Sequence, residues 1–172
     1  YNTIPVFYEF SADNQTPLNI YTAFSGKSRN SFIFESVSNG VQWDRYSFIG
    51  FAPKQEIRIS GKQAEIRTEK GTQTLAVEQP IAFLKEQMAA FHAPVIPGAP
   101  NFTGGLIGYF GYDTVRYMEK KLTNIPEDDI HMPDCHLFLY EELIAYDHLT
   151  SNGIVILNLH TDGDLGAQYA AA

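Results

Sequence analysis

The residues of this chain best suited to chemistry lie in one stretch, 31–50. Glu35 and Ser36 interrupt an apolar run at 32–37, and Ser47 sits in a second run at 46–51. A carboxylate inside an apolar strand is costly unless something pairs with it. Two partners are open: Arg45 can close an ion pair with Glu35, or Glu35 can take the ammonium of a small ligand. If the two runs pair, Ser36 and Ser47 face one cleft, with Phe34, Trp43, Tyr46 and Phe48 nearby. Such a set suits a small zwitterion with an apolar side chain. The carboxylate or free carbonyls take its ammonium, donors take its carboxylate, and the rings wall the rest.

The other reactive residue types point to structure. Gly104, Gly105, Gly108 and Gly111 fall in one run, but neither G-x-G-x-x-G nor G-x-x-x-x-G-K-[ST] is present. Their expected role is steric, letting a strand approach another backbone closely. His92, His131, His136, His148 and His160 lack the clustering of a metal site and read as surface or strand-end residues. Asp147 and His148 are adjacent, so on a strand they point to opposite faces and make a poor acid/base pair. Cys135 has no cationic neighbour and is expected to pack in a core. Asp113 and Arg116, at i and i+3, can form a structural ion pair.

The elements that must position these residues can be read in turn. A strand is expected at 6–12. A helix opens at Pro17 behind Thr16 as N-cap, with Leu18, Tyr21 and Phe24 as its apolar face and Ser25-Gly26 as its stop. The two runs at 32–37 and 46–51 read as a hairpin around Ser38-Asn39-Gly40. Alternating runs at 56–60, 64–68 and 73–77 read as an antiparallel meander with one wet face. Pro80 starts a second helix carrying Ile81, Leu84, Met88 and Phe91 as its stripe. The proline-bearing stretch 92–101 reads as a connector, 102–109 as a glycine-rich strand, and 112–119 as a short helix before a loop at 120–133. Strands are expected at 135–140, 143–147 and 154–160, the last after a Ser151-Asn152-Gly153 turn. Residues 165–172 open a helix with no stop signal, which is expected to be cut within an element.

Composition narrows the class. The net charge of −8 and pI near 5.0 argue against a nucleic-acid or anionic-membrane surface. No apolar run approaches the roughly 18 residues of a membrane span. One cysteine rules out an internal disulfide framework and points to a reducing, cytoplasmic setting. No secretory pattern opens the sequence, and Tyr1 in place of Met suggests a trimmed chain. The expected fold class is α+β, mainly antiparallel.

The order of motifs resembles the N-terminal region of anthranilate synthase component I. Ile33-Phe34-Glu35-Ser36, ten residues, then Ser47 is similar to the family's Leu-Leu-Glu-Ser-(ten)-Ser feedback element. Arg45-Tyr46-Ser47-Phe48-Ile49-Gly50 resembles its Arg-Tyr-Ser-Phe-Ile-Gly. The run from Phe102 to Arg116, then Pro133-Asp134 and Tyr146-Asp147-His148, is similar to its Gly-Gly…Gly-Tyr…Tyr-Asp…Arg, Pro-Asp and Asp-His sequence. The resemblance implies antiparallel strands forming part of an orthogonal sandwich with helices outside, and a regulatory region over 1–172. It implies that tryptophan binds at Glu35, Ser36 and Ser47, with Phe34, Arg45 and Tyr46 as lining. Ile33-Phe34 departs from the Leu-Leu pair, so the pocket differs in size, and Tyr46 stands where some members carry lysine.

Further expectations follow from the same resemblance. The catalytic half, its Mg²⁺ and its chorismate-binding residues lie outside this chain, which alone is expected to show no turnover. The partners implied are tryptophan, the glutamine amidotransferase component II and the chain's own C-terminal half, with no nucleic acid or membrane. Component I of aminodeoxychorismate synthase shares this architecture and stands as an alternative. A stand-alone binding or scaffold domain is a second.

Overall fold

The computed structural model describes residues 1–35, 45–119, 121–124 and 127–171. Among them the chain forms ten strands and four short α-helices in two compact units. The first comprises 1–53, 91–105 and 140–172, and the second 54–90 and 106–139. The α+β reading with antiparallel pairing holds throughout.

The first unit is built on a five-stranded sheet, whose strands are β1 (Thr3–Ser11), β2 (Phe32–Phe34), β3 (Tyr46–Gly50), β9 (Glu142–Asp147) and β10 (Asn152–His160). Their order is β1-β10-β9-β3-β2. The two apolar runs pair as expected, with Ile33 opposite Ile49. The expected Ser38-Asn39-Gly40 turn lies outside the described residues. Strand β3 is flanked on both sides, by β2 and by β9. Apolar side chains cover both of its faces, which explains a sequence with little strict alternation. Ile49 packs with Ile20, Ala12 and Tyr146 on one face. Tyr46 and Phe48 pack with Ala145, Leu143 and Phe102 on the other.

Helix α1 (Pro17–Ser25) starts where its signals place it, with the Thr16 hydroxyl accepting from the Asn19 N–H at 3.1 Å. Its buried face differs from the expected one. Pro17 and Ile20 are buried, whereas Leu18 is 54% exposed. The row Leu18, Tyr21, Phe24 steps by three and drifts around the helix. Pro17, Ile20, Tyr21 and Phe24 follow the i, i+3, i+4, i+7 stripe that a 3.6-residue turn keeps on one side. The Ser151-Asn152-Gly153 turn is also displaced. The reversal falls at 148–151 with Ser151 at φ 56°, and Gly153 already belongs to β10. A Cβ on Gly153 would lie 2.1 Å from the Phe10 ring of β1, so this glycine leaves space for a ring.

The second unit holds β4 (Gln55–Ser60), β5 (Gln63–Thr68), β6 (Gly71–Ala76), β7 (Gly105–Phe110) and β8 (Cys135–Tyr140), in the order β6-β5-β4-β8-β7. The meander forms with Ile57 opposite Ile66 and Arg58 opposite Glu65. Ile57, Ile59, Ala64 and Leu137 form the core with fully buried Cys135. Burial pushes the Cys135 thiol up to about 11. Helix α2 (Pro80–Ala89) adds Leu84 to this core. It ends before Phe91, so the expected stripe is shorter by one residue.

The wet face of the meander is only partly wet. The Glu56 side chain is 11% exposed and sits among Arg58 at 2.7 Å, His136 at 2.7 Å and Arg67 at 3.5 Å. After β7, a 3₁₀ turn over Tyr112–Thr114 leads into α3 (Val115–Met118), where the Asp113–Arg116 ion pair closes at 2.8 Å. Asp134 joins this segment to the β4–β5 turn, accepting from the Gly61 N–H at 2.7 Å and the Tyr117 hydroxyl at 2.5 Å. The last helix, α4, covers Leu165–Ala171.

The glycine run does the steric work expected of it. A Cβ on Gly108 would fall 2.0 Å from the His136 carbonyl oxygen and 2.9 Å from Leu137 Cα, both backbone atoms that cannot turn aside. Gly108→Ala is therefore expected to cost about 1–3 kcal/mol in a urea melt. Gly26→Ala, at φ −68° with nothing within 4 Å, is the control and should change stability by less than about 0.5 kcal/mol. Equal midpoints for the two variants would contradict the close approach.

Candidate functional site

The site is built on β3 and on the strand that runs antiparallel to it, β9. Tyr46 lies opposite Asp147, Ser47 opposite Tyr146 and Phe48 opposite Ala145. One residue earlier, the His148 N–H donates to the Arg45 carbonyl at 2.9 Å and extends the ladder. Side chains alternate across a strand, so Ser47, Tyr146 and His148 share one face and Asp147 points to the other. The adjacent Asp147 and His148 are thereby separated, as expected, and each finds its own partner on β3 or beside it.

Asp147 is 2% exposed. Arg45 holds it with two parallel bonds, Nε to Oδ1 at 3.0 Å and an Nη to Oδ2 at 2.6 Å. The Leu149 N–H adds a third bond to Oδ1 at 3.0 Å. Burial pushes the Asp147 carboxyl up. The Arg45 hydrogen bonds, the Leu149 N–H, the Thr150 hydroxyl and the Arg45 charge together outweigh it, and the pKa is lowered from its ordinary value. The Arg45 guanidinium also lies over the Tyr46 ring, 5.0 Å from its centroid.

Ser47 is fully buried, and its Oγ lies 2.7 Å from Nε2 of exposed His148. The two are diagonal neighbours across the strand pair, the arrangement in which a longer side chain spans the gap. The His148 ring meets the Tyr146 ring edge-on at 5.0 Å. Tyr146 is fixed in turn, its hydroxyl donating to the Gln15 carbonyl at 3.2 Å.

The residues read from sequence are therefore unequally placed. Glu35 follows the end of β2 and is exposed, so the penalty for a carboxylate inside a strand does not arise. Of the two partners open to it, Arg45 is bound to Asp147, and among the described residues no Glu35–Arg45 ion pair forms. Ser36 and Trp43 lie outside the described residues. Phe34 is 54% exposed, packed at 5.0 Å against Phe32, which meets Tyr140 edge-on. Arg45, Tyr46 and Ser47 lie side by side at the start of β3. Sequence reading missed Asp147 and His148 as the groups that hold them. The Tyr146-Asp147-His148 run was visible as a motif, but only strand register shows what it faces.

The remaining histidines all have protein neighbours. His136 lies 2.7 Å from Glu56, His160 3.1 Å from Glu141, and His131 3.6 Å from Asp128, while His92 stacks on Tyr1 at 5.0 Å.

The depressed Asp147 pKa fixes the sign of a pH effect. Its contribution is fully present above the unfolded carboxyl pKa of about 3.9, and is lost as pH falls through the lower folded value. Asp147→Asn should cost about 1–2 kcal/mol at pH 7, discounted for an arginine that is 43% exposed. It should also flatten the loss of stability below about pH 4. Urea melts of parent and variant at pH 7 and pH 3 test this, and an equal difference at both values would contradict it.

Comparison with known proteins agrees with this architecture. A family model described as chorismate binding enzyme matches residues 15–171. The chain is 38% identical over 172 residues to anthranilate synthase component 1 of Acetivibrio thermocellus, which covers all of the chain and 34% of that protein. It is 40% identical over 151 residues to the protein of the same name from Pseudomonas aeruginosa, covering 87% of the chain and 30% of that protein. The crystal structure of anthranilate synthase component I from Streptococcus pneumoniae TIGR4 matches with a TM-score of 0.59 at 26% identity, over 92% of this chain and 33% of that one. The chain thus spans about a third of the length of the curated relatives it matches. With strand pairing, motif order and a family match over nearly all its residues in agreement, the chain belongs to the chorismate binding enzyme family.

Proposed function

We propose that this chain is the N-terminal, tryptophan-sensing part of an anthranilate synthase component I. The observation that carries the reading is the match of the whole chain to proteins named anthranilate synthase component 1. In the complete protein, with the amidotransferase component II, chorismate and glutamine or ammonia would give anthranilate and pyruvate. Aminodeoxychorismate formation is the less favoured product, since the relatives named above are all anthranilate synthases.

In this reading residues 1–172 regulate and the remainder of the protein performs the chemistry, so the chain alone shows no turnover. Among the described residues no group of three His, Cys, Asp or Glu side chains is placed to hold a metal ion. The Mg²⁺ that the resemblance implies is assigned, as part of the same reading, to the remainder of the protein. We place the protein in the cytoplasm, supported by its single, buried cysteine. Among the described residues no helix is long and apolar enough to cross a membrane.

The sensing element comprises Glu35, Ser36 and Ser47, with Phe34, Arg45 and Tyr46 as its lining. Exposed Glu35 can offer its carboxylate to an ammonium, and the neighbouring exposed Phe34 ring offers apolar surface. Feedback then requires tryptophan to bind two states of the whole enzyme unequally. The test is anthranilate formation by the full-length protein, read by product identity and by tryptophan titration. Ser36→Ala and Glu35→Ala should each raise the half-inhibitory tryptophan concentration about tenfold, equivalent to ~1.4 kcal/mol of binding. Unchanged inhibition in both variants would contradict the site, and aminodeoxychorismate as product would contradict the assignment.

A further inference from the structure

The burial of Ser47 conflicts with a direct contact between its hydroxyl and a ligand. At 0% exposure, Ser47 is not reached by anything outside the protein in this conformation. Its Oγ is instead 2.7 Å from Nε2 of His148, a side chain 101 residues away that is itself exposed. That imidazole is held from two further directions. Its ring rests edge-on against Tyr146, and the backbone N–H of the same residue donates to the Arg45 carbonyl. One residue before it, Asp147 holds the Arg45 guanidinium. Asp147 at the end of β9 and His148 just after it therefore grip Arg45 just before β3 and Ser47 within it.

We propose that His148 is a positioning residue of the tryptophan response, and that Ser47 acts through it rather than by touching the effector. The inference rests on the reading of residues 33–47 as the sensing element. The Ser47–His148 hydrogen bond fixes the plane of an exposed imidazole. It also pins the first turn after β9 to β3. Loss of either partner releases the same latch, which sets this arrangement apart from a serine that binds ligand directly.

The full-length protein is assayed for anthranilate formation against tryptophan, each variant normalised to its own rate without tryptophan. His148→Phe keeps a ring against Tyr146 and drops the hydrogen bond, while His148→Gln keeps a polar group within reach of Ser47. His148→Phe and Ser47→Ala should each raise the half-inhibitory concentration about tenfold, and the double variant should go no further than about twofold beyond either alone. His148→Gln should return to within about threefold of the parent. Should His148→Phe fail to fold, as a thermal melt would reveal, His148→Ala takes its place in the cycle.

A parental response in His148→Phe, or effects that multiply to about a hundredfold in the double variant, overturns the latch and leaves the proposed function standing. A parent that forms anthranilate without any inhibition by tryptophan overturns the sensing role and the latch together.

Discussion

The constraint on which the site depends is that β3 must be held at a fixed register against β9. Backbone pairing alone leaves register weakly specified where both faces of a strand are apolar, because a slip merely exchanges one apolar set for another. Here the polar start of β3 removes that freedom. Arg45 must meet a buried carboxylate and Ser47 must meet an imidazole, and a slip by one residue would break both contacts. Asp147 would then be a buried, uncompensated charge, among the costlier defects a fold can carry. The polar contacts thus specify position, while Ile49, Phe48 and their neighbours supply most of the burial.

The second unit uses the same division of labour. Its core is a row of aliphatic side chains from β4, β5 and β8, and its polar contacts sit at a turn and on the outer face of the inner strands. Asp134 ties the β4–β5 turn to Tyr117, and burial, together with the hydrogen bond to that carboxylate, raises the tyrosine pKa. Glu56 gathers two arginines and His136 at the strand surface. Burial pushes its carboxyl up, but the His136 and Arg58 hydrogen bonds and the arginine charges hold its pKa below the ordinary value.

Legibility in the sequence followed the range of the interactions. The Thr16 cap, the meander of β4 to β6 and the Asp113–Arg116 pair each depend on residues no more than 13 positions apart, and each is readable from spacing. The α1 stripe was misread because Leu18 is as apolar as Ile20, so composition alone does not locate the buried side. Gly153 was read as turn chemistry because its actual neighbour, Phe10, lies on a strand far away in sequence. The same reason hid the partners of Arg45 and Ser47, which are 102 and 101 residues distant. The motif containing them was recognisable, but its purpose needed the register.

The central claim is that the start of β3 and the end of β9 respond to tryptophan as one piece. Amide hydrogen exchange on the full-length protein, with and without tryptophan, measures this directly. The account predicts that peptides covering 45–50 and 143–149 gain protection together when tryptophan is added. Protection confined to residues near Glu35, with 143–149 unchanged, would contradict it.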